Sequence, residues 1–129
     1  MLKMCNENLI YGNLISGEWV TSKSGKVIRI SSPVDGSKIG DVQSITKEEV
    51  DDIIDYSKEN ATAWAKTPIF EKAEILYKAA SLLDERADEI ADILTMEIAK
   101  DKKSSLSEIK RTGDFLRFTA DAGKSMKGL

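Results

Sequence analysis

The sequence contains no histidine and a single cysteine, Cys5. Without an imidazole, neither a Ser-His-Asp nor a Cys-His arrangement can be assembled, because the nucleophile has no such base to take its proton. The two scarcities together exclude an internal disulfide and any zinc site of the Cys/His type. Cys5 lies in a polar leader with no base or helix N-terminus nearby to favour its thiolate, and reads as an incidental thiol. This cysteine usage fits a reducing, cytoplasmic setting. Excess positive charge is missing too. A net charge of −3 and a pI near 5.1 leave no basic stripe to neutralise nucleic-acid phosphates, so a nucleic-acid partner is excluded. The short clusters Lys102–Lys103 and Lys124–Lys127 read as solvated helix ends. No apolar run approaches a membrane span, and the first residues have no apolar core behind their charge, so neither an anchor nor a secretory signal is expected. Glycines 12, 17, 25, 36, 40, 113, 123 and 128 never fall into the spacing of a phosphate-cradling loop.

What is present is an ordinary globular balance. With 129 residues, 41% apolar and 32% charged, the chain can build one modest core and is not of disordered composition. Its character changes near residue 45. Leu14 to Val20 places two β-favouring pieces around Ser16-Gly17, a turn dipeptide. Val27-Ile28-Arg29-Ile30, the turn Pro33-Val34-Asp35-Gly36 and the extended piece Lys38 to Val42 complete a small antiparallel strand arm over residues 1–45.

From Thr46 the pattern is helical. Thr46 and Glu49 form a capping box, and Val50, Ile54, Ser57, Ala61 and Trp64 recur at steps of three and four, a face expected to lie against a core. Thr67-Pro68 ends this helix. A second helix is expected from Ile69 to Glu85, with Ala73, Leu76, Ala80 and Leu83 on one seam and Ile75, Ala79 and Leu82 on a flanking one. A third carries Ile90, Ile93, Leu94 and Ile98 and ends near Lys100. A fourth opens around Ser104 or Ser105, carries Leu106, Ile109, Leu116 and Ala120, and ends by Gly123, with Phe115 and Phe118 widening its apolar surface. These four helices, over residues 46–123, carry more apolar surface than packing on one another would cover and read as a layer awaiting a sheet. The chain stops at Gly128-Leu129 without terminal punctuation, which suggests truncation. The carboxylate pairs Glu48-Glu49 and Asp51-Asp52 suit the positive end of a helix and read as structural. Taken alone, these residues support no enzyme mechanism.

Several stretches, in order, resemble the amino-terminal part of the aldehyde dehydrogenase family. Ile15-Ser-Gly-Glu-Trp-Val20 is similar to the family's opening hairpin, and Ser32-Pro-Val-Asp-Gly36 with Ile39-Gly40-Asp-Val42 to its "Asn-Pro-Ala-Thr-Gly-Glu … Ile-Gly-x-Val". Ala63-Trp64, Pro68 and Glu71-Lys72-Ala73-Glu-Ile75-Leu76 resemble the stretch "W … P … E-R-A-x-I-L". Ala79-Ala80-x-Leu82-Leu83-x-Glu85-Arg86-x-Asp88-Glu89-Ile90-Ala91 follows almost residue for residue. Leu94-Thr-x-Glu97-Ile98-Ala99-Lys100 resembles "L-x-x-E-x-G-K". The resemblance runs from about Leu14 to Gly123. Lys72 departs from a usual Arg and Ala99 from a usual Gly. Glu97-Ile-Ala-Lys100 followed by Ser107-Glu-Ile-x-Arg111-Thr112 is most similar to the NADP-dependent, non-phosphorylating glyceraldehyde-3-phosphate dehydrogenase branch.

The resemblance implies an α/β, aldehyde dehydrogenase-like fold. This chain would be the amino-terminal part of the cofactor-binding domain, with the parallel Rossmann-type sheet downstream. It implies oxidation of a small-molecule aldehyde, best glyceraldehyde 3-phosphate to 3-phosphoglycerate, through a cysteine thioester. NADP or NAD would accept the hydride, with a Glu as base and an Asn amide at the oxyanion. Those residues lie past Leu129 in relatives, so no catalytic, cofactor-binding or metal residue is assigned here, and the segment alone is expected to be inactive and to bind no cofactor. It would supply outer helices of the cofactor domain and part of the wall of the substrate tunnel. Relatives are homo-oligomers, dimers or tetramers. Arg111 is the one site residue the resemblance transfers, as a substrate-binding guanidinium suited to an anionic or polyhydroxy aldehyde. Its alternative role is a surface ion pair with Glu108 or Asp114 at three-residue spacing. Two other readings stand beside this one: a stand-alone helical interaction module, and a dehydrogenase for another short aldehyde such as lactaldehyde or succinate semialdehyde.

Overall fold

The structure, a computed structural model, describes residues 10–126; Cys5, Lys127, Gly128 and Leu129 lie outside them. The order of elements is β1 (Ile10–Tyr11), β2 (Asn13–Ile15), β3 (Glu18–Val20), β4 (Val27–Ser31), β5 (Lys38–Gln43), α1 (Lys47–Lys66), α2 (Ile69–Glu85), α3 (Ala87–Ile98) and α4 (Lys102–Ser125). They divide into two compact units. One holds residues 10–64 with 97–99, the other 65–96 with 100–126.

In the first unit β2 and β3 form the expected hairpin, pairing Leu14 with Trp19 and Ile15 with Glu18. Ser16 and Gly17 both take positive φ, 55° and 85°, the signature of the primed two-residue turn whose twist matches the strands it joins. The second sheet has the order β1-β5-β4. β4 and β5 are antiparallel, as expected, around a turn held by Asp35, whose carboxylate accepts from the Ser37 N–H at 3.0 Å and its hydroxyl at 2.7 Å. The arm is nevertheless mixed and not purely antiparallel. Ile10–Tyr11, too short to leave a periodic signal, pairs parallel with Asp41 and Val42 of β5.

The capping box at α1 forms and reaches further than its two members. Glu49 accepts from the Thr46 N–H at 2.9 Å while the Thr46 hydroxyl accepts from the Glu49 N–H at 3.1 Å. The same carboxylate also accepts from the Lys23 N–H at 2.8 Å and the Ser22 hydroxyl at 2.7 Å. One side chain thereby closes a helix start and pins a loop more than twenty residues earlier. These donors, Lys23 first and then Thr46 and Ser22, lower its pKa from 4.5 to about 2, because each favours the ionised form. The apolar face of α1 departs from expectation. None of its residues is buried, and Val50, Ile54 and Trp64 stand open, Trp64 at 52%. The five short strands bury only Ile39 and Gly40 among their own residues, too little surface to cover a twenty-residue helix.

In the second unit α2 follows Thr67-Pro68 with the expected bounds, and only Arg86 separates it from α3. α2 and α4 meet through small residues. Ala73 and Ala80 on one side and Gly113 and Ala120 on the other are all buried. A β-carbon at Gly113 would lie 3.7 Å from the Ala80 carbonyl oxygen, so the backbones approach closely. Ala87, Ala91 and Ile109 form the core between α3 and α4, backed by Leu83, Ile90 and Leu106. The fourth helix starts at Lys102, before the expected serines, because Asp101 is its cap: the carboxylate accepts from the Ser104 N–H at 2.9 Å. It also runs past Gly123 to Ser125. Gly123 does not end the helix; it makes room for Ile69, whose Cδ1 lies 3.2 Å from where a β-carbon would be.

α3 ends at Ile98, two residues short of Lys100, and the reason is Ala99, which adopts φ 56°. This left-handed position beyond the last helical residue is where glycine normally terminates a helix, because a β-carbon there crowds the backbone. It is also the position at which the family pattern carries Gly. Ala99→Gly should therefore raise stability by about 1 kcal/mol, read as a higher denaturation midpoint at unchanged m-value; an unchanged or lower midpoint would show that Ala99 is not strained.

The Glu49 clasp sets a second expectation. Its folded pKa lies below its unfolded value, so its contribution is complete above about pH 4.5 and is lost as pH falls towards about 2. Amide exchange at Lys23 and Thr46, corrected for intrinsic rates, should speed up through that interval in the native chain. In Glu49→Gln it should be fast already at pH 6 and insensitive across the interval. Equal protection in both proteins would remove the clasp.

Candidate functional site: a basic concavity on helix α4

The Asp101 cap and the α2–α3 packing fix the axial position and rotation of α4. Its inward line is Ser105, Ile109, Gly113 and Ala120, all buried. The Ser105 hydroxyl lies 3.2 Å from the Thr95 hydroxyl, so its polar atom is satisfied. The outward faces carry charge, and the ion pairs are unevenly distributed among them.

Lys102 reaches α3, at 2.5 Å from an Asp92 carboxylate oxygen, 2.6 Å from the Asp88 carbonyl and 3.7 Å from the Asp88 carboxylate. Lys100 pairs with Glu108, and Arg117 with Asp84 and, at 3.2 Å, with Asp114. Lys100 is the main cause of the lowered Glu108 pKa, with Arg111 a smaller, purely Coulombic contributor. Both acids considered as partners for Arg111 are thus engaged by other cations. Among the described residues Arg111 has no hydrogen bond or ion pair within 4 Å, and its side chain is exposed.

Arg111 lines an open concavity of about 670 Å³ together with Lys102, Lys103, Leu106, Ser107, Lys110 and Asp114. Four cations face one carboxylate. Lys102 and Asp114 have partners elsewhere, while Lys103 and Lys110, like Arg111, have none among the described residues. The reading of Lys102–Lys103 as a pair of solvated helix-end charges separates into two cases: Lys102 ties α4 to α3, and Lys103 faces the concavity. The signal was present in the spacing, since 103, 107, 110, 111 and 114 fall on one helical face. One and two turns beyond Arg111, Phe115 and Phe118 are 66% and 70% exposed, large apolar areas left uncovered within the described chain.

Neither α1 nor α4 offers a phosphate cradle. The free N–H groups that would hold a phosphate at a helix start already face a carboxylate, Glu49 at α1 and Asp101 at α4, and the Ser104 hydrogen bonds lower the Asp101 pKa. Three glycines of positive φ, Gly17, Gly25 and Gly36, sit in separate turns of the strand arm. No cofactor-binding residue is assigned among the described residues. No group of three potential metal ligands occurs among them either, and no helix is long and apolar enough to cross a membrane.

Comparisons with known proteins place this order of elements in one enzyme family. The model of the "Aldehyde dehydrogenase family" matches residues 19–129. The chain belongs to that family. It is 40% identical over 119 residues to the NADP-dependent glyceraldehyde-3-phosphate dehydrogenase of Triticum aestivum, covering 92% of this chain and 24% of that protein. It is 34% identical over 128 residues to the alpha-ketoglutaric semialdehyde dehydrogenase of Bacillus subtilis, covering 98% and 26%. Among solved structures, the NADP-dependent glyceraldehyde-3-phosphate dehydrogenase of Bacillus halodurans C-125 complexed with NADP superposes with a TM-score of 0.90 at 38% identity, over 94% of this chain and 25% of that one. The chain thus spans about a quarter of the length of the curated relatives it matches, and its fold is the corresponding part of theirs.

Proposed function

We propose that these residues form part of an NADP-dependent, homo-oligomeric cytoplasmic dehydrogenase that oxidises glyceraldehyde 3-phosphate to 3-phosphoglycerate, and that Arg111 binds the substrate phosphate. The observation that carries this reading is a guanidinium with no ion pair within 4 Å among the described residues, in a concavity of surplus positive charge and in a chain 40% identical to a dehydrogenase of that substrate. An arginine cannot lose its charge and presents several donors in a fixed plane, which suits a dianionic phosphate. The dinucleotide of such an enzyme takes up the aldehyde hydride, and residues 10–126 are given no part in that step. A second reading, a short aldehyde bearing a carboxylate, draws on the Bacillus subtilis relative, since a carboxylate would use the same guanidinium.

Residues 1–129 in isolation should oxidise no aldehyde, because no described side chain is a supported nucleophile. NADPH production by a pure sample, followed by absorbance, would overturn this assignment. In the active protein, Arg111→Met should lower kcat/KM for glyceraldehyde 3-phosphate by about 1.5–3 kcal/mol, the range for a charge-assisted hydrogen bond. An uncharged short aldehyde should lose far less, and Arg111→Lys should recover only part of the loss. Equal losses for both aldehydes, or none, would give Arg111 a structural role. A larger loss for a carboxylate-bearing aldehyde than for the phosphorylated one would favour the second reading.

A further inference from the structure

We propose that Lys103 and Lys110 form an electrostatic apron around Arg111, concentrating anionic aldehydes at the site through their field. The inference rests on the reading of Arg111 as the anion contact, and its test separates the two.

Three observations carry it. First, the concavity holds four cations and one carboxylate, although the whole chain has a net charge of −3, so the surplus is local and not a reflection of composition. Second, the other cations considered on this helix are neutralised. Lys102 is held by Asp88 and Asp92, and Arg117 by Asp84 and Asp114. The nearest acids are engaged as well: Asp101 caps the helix, Glu108 pairs with Lys100 and Asp114 with Arg117. Lys103, Lys110 and Arg111 are left facing the same open space. Third, the helical repeat sets their separation. Lys103 lies eight positions from Arg111, about 12 Å along the axis, and Lys110 is the immediate neighbour of Arg111 in the chain. Both ammonium groups are near enough for their field to act at the guanidinium.

The physics gives this arrangement a distinct signature. A side chain that hydrogen-bonds substrate acts at contact distance, and salt screens it little. A charge about 10 Å away acts through solvent, where the Debye length is about 30 Å at 10 mM and 3 Å at 1 M ionic strength. Two such lysines acting on a phosphate dianion through water should change its local concentration about three- to sevenfold at 10 mM, and almost not at all near 1 M.

The experiment uses the active protein with saturating NADP and compares native enzyme, Lys103→Gln/Lys110→Gln and Lys103→Arg/Lys110→Arg at 10 mM and 0.5 M ionic strength. The glutamine pair should raise KM for glyceraldehyde 3-phosphate about three- to sevenfold at low salt with kcat unchanged, and its KM should converge on the native value at high salt. The arginine pair keeps the charge and should keep the native KM at both salts. An uncharged aldehyde should show no change in any of the three. A KM for the phosphorylated aldehyde that does not move at low salt overturns the apron, as does a loss that persists at 0.5 M or one shared by the uncharged aldehyde. Arg111→Met in parallel identifies which idea has failed. If it abolishes the preference for the charged aldehyde while the lysine pair has no effect, the apron fails alone. If it leaves that preference intact, the reading of Arg111 fails first.

Discussion

The surface of α4 depends on how closely its backbone lies to that of α2. Ala73, Ala80, Gly113 and Ala120 supply almost no side-chain volume, and the helices meet nearly backbone to backbone. Close approach fixes rotation as well as distance, because a turn of α4 about its axis would bring the larger Leu116 or Arg117 to the place where Gly113 faces Asp84 and Ala80. The charged residues then have no freedom in the direction they face. Arg117 is drawn back to Asp84 on α2, Lys102 to α3, and Lys103, Lys110 and Arg111 are left lining the concavity. A larger residue at Gly113 would disturb the charge arrangement although it carries no charge.

Most of the local architecture could be read from the sequence because its signals were local. Thr46 with Glu49, Ser16-Gly17 and Thr67-Pro68 each act within four residues, and each lies where the spacing placed it. Errors arose where a residue has two physical uses. Gly123 looked like a stop and serves as a contact for Ile69. The expected opening at Ser104 or Ser105 lies inside the helix, because Asp101 caps it earlier and Ser105 is fully buried against Thr95. β1 is two residues long and pairs across some thirty positions of sequence, so no window of periodicity could reveal it.

The charged concavity was only half legible. Arg111 came from resemblance, and its spacing to Glu108 and Asp114 suggested an ordinary ion pair. What the sequence withheld was competition: Lys100 reaches Glu108 from the α3–α4 connection, and Arg117 is positioned to reach Asp114 and Asp84 together. Pairing among several charges is decided by which side chain packing already holds in place, and that information is tertiary. The apolar face of α1 gives a similar lesson. Periodicity correctly identified a face, but only the count of strand residues available beside it shows how little of that face they cover.

The carboxylates at the starts of α1 and α4 have a consequence for discrimination. A helix start left open reads a phosphate through rigid backbone donors, and so selects by shape. With Glu49 and Asp101 closing those starts, an anion arriving at α4 meets only the mobile ends of lysine and arginine side chains. The lysine ammoniums count charge and not geometry, and the Arg111 fork reads the anionic group itself and not the carbon skeleton behind it. Whatever chemistry a site on this helix serves, its tolerance for the carbon skeleton of a ligand would be broad and its tolerance for a missing negative charge narrow.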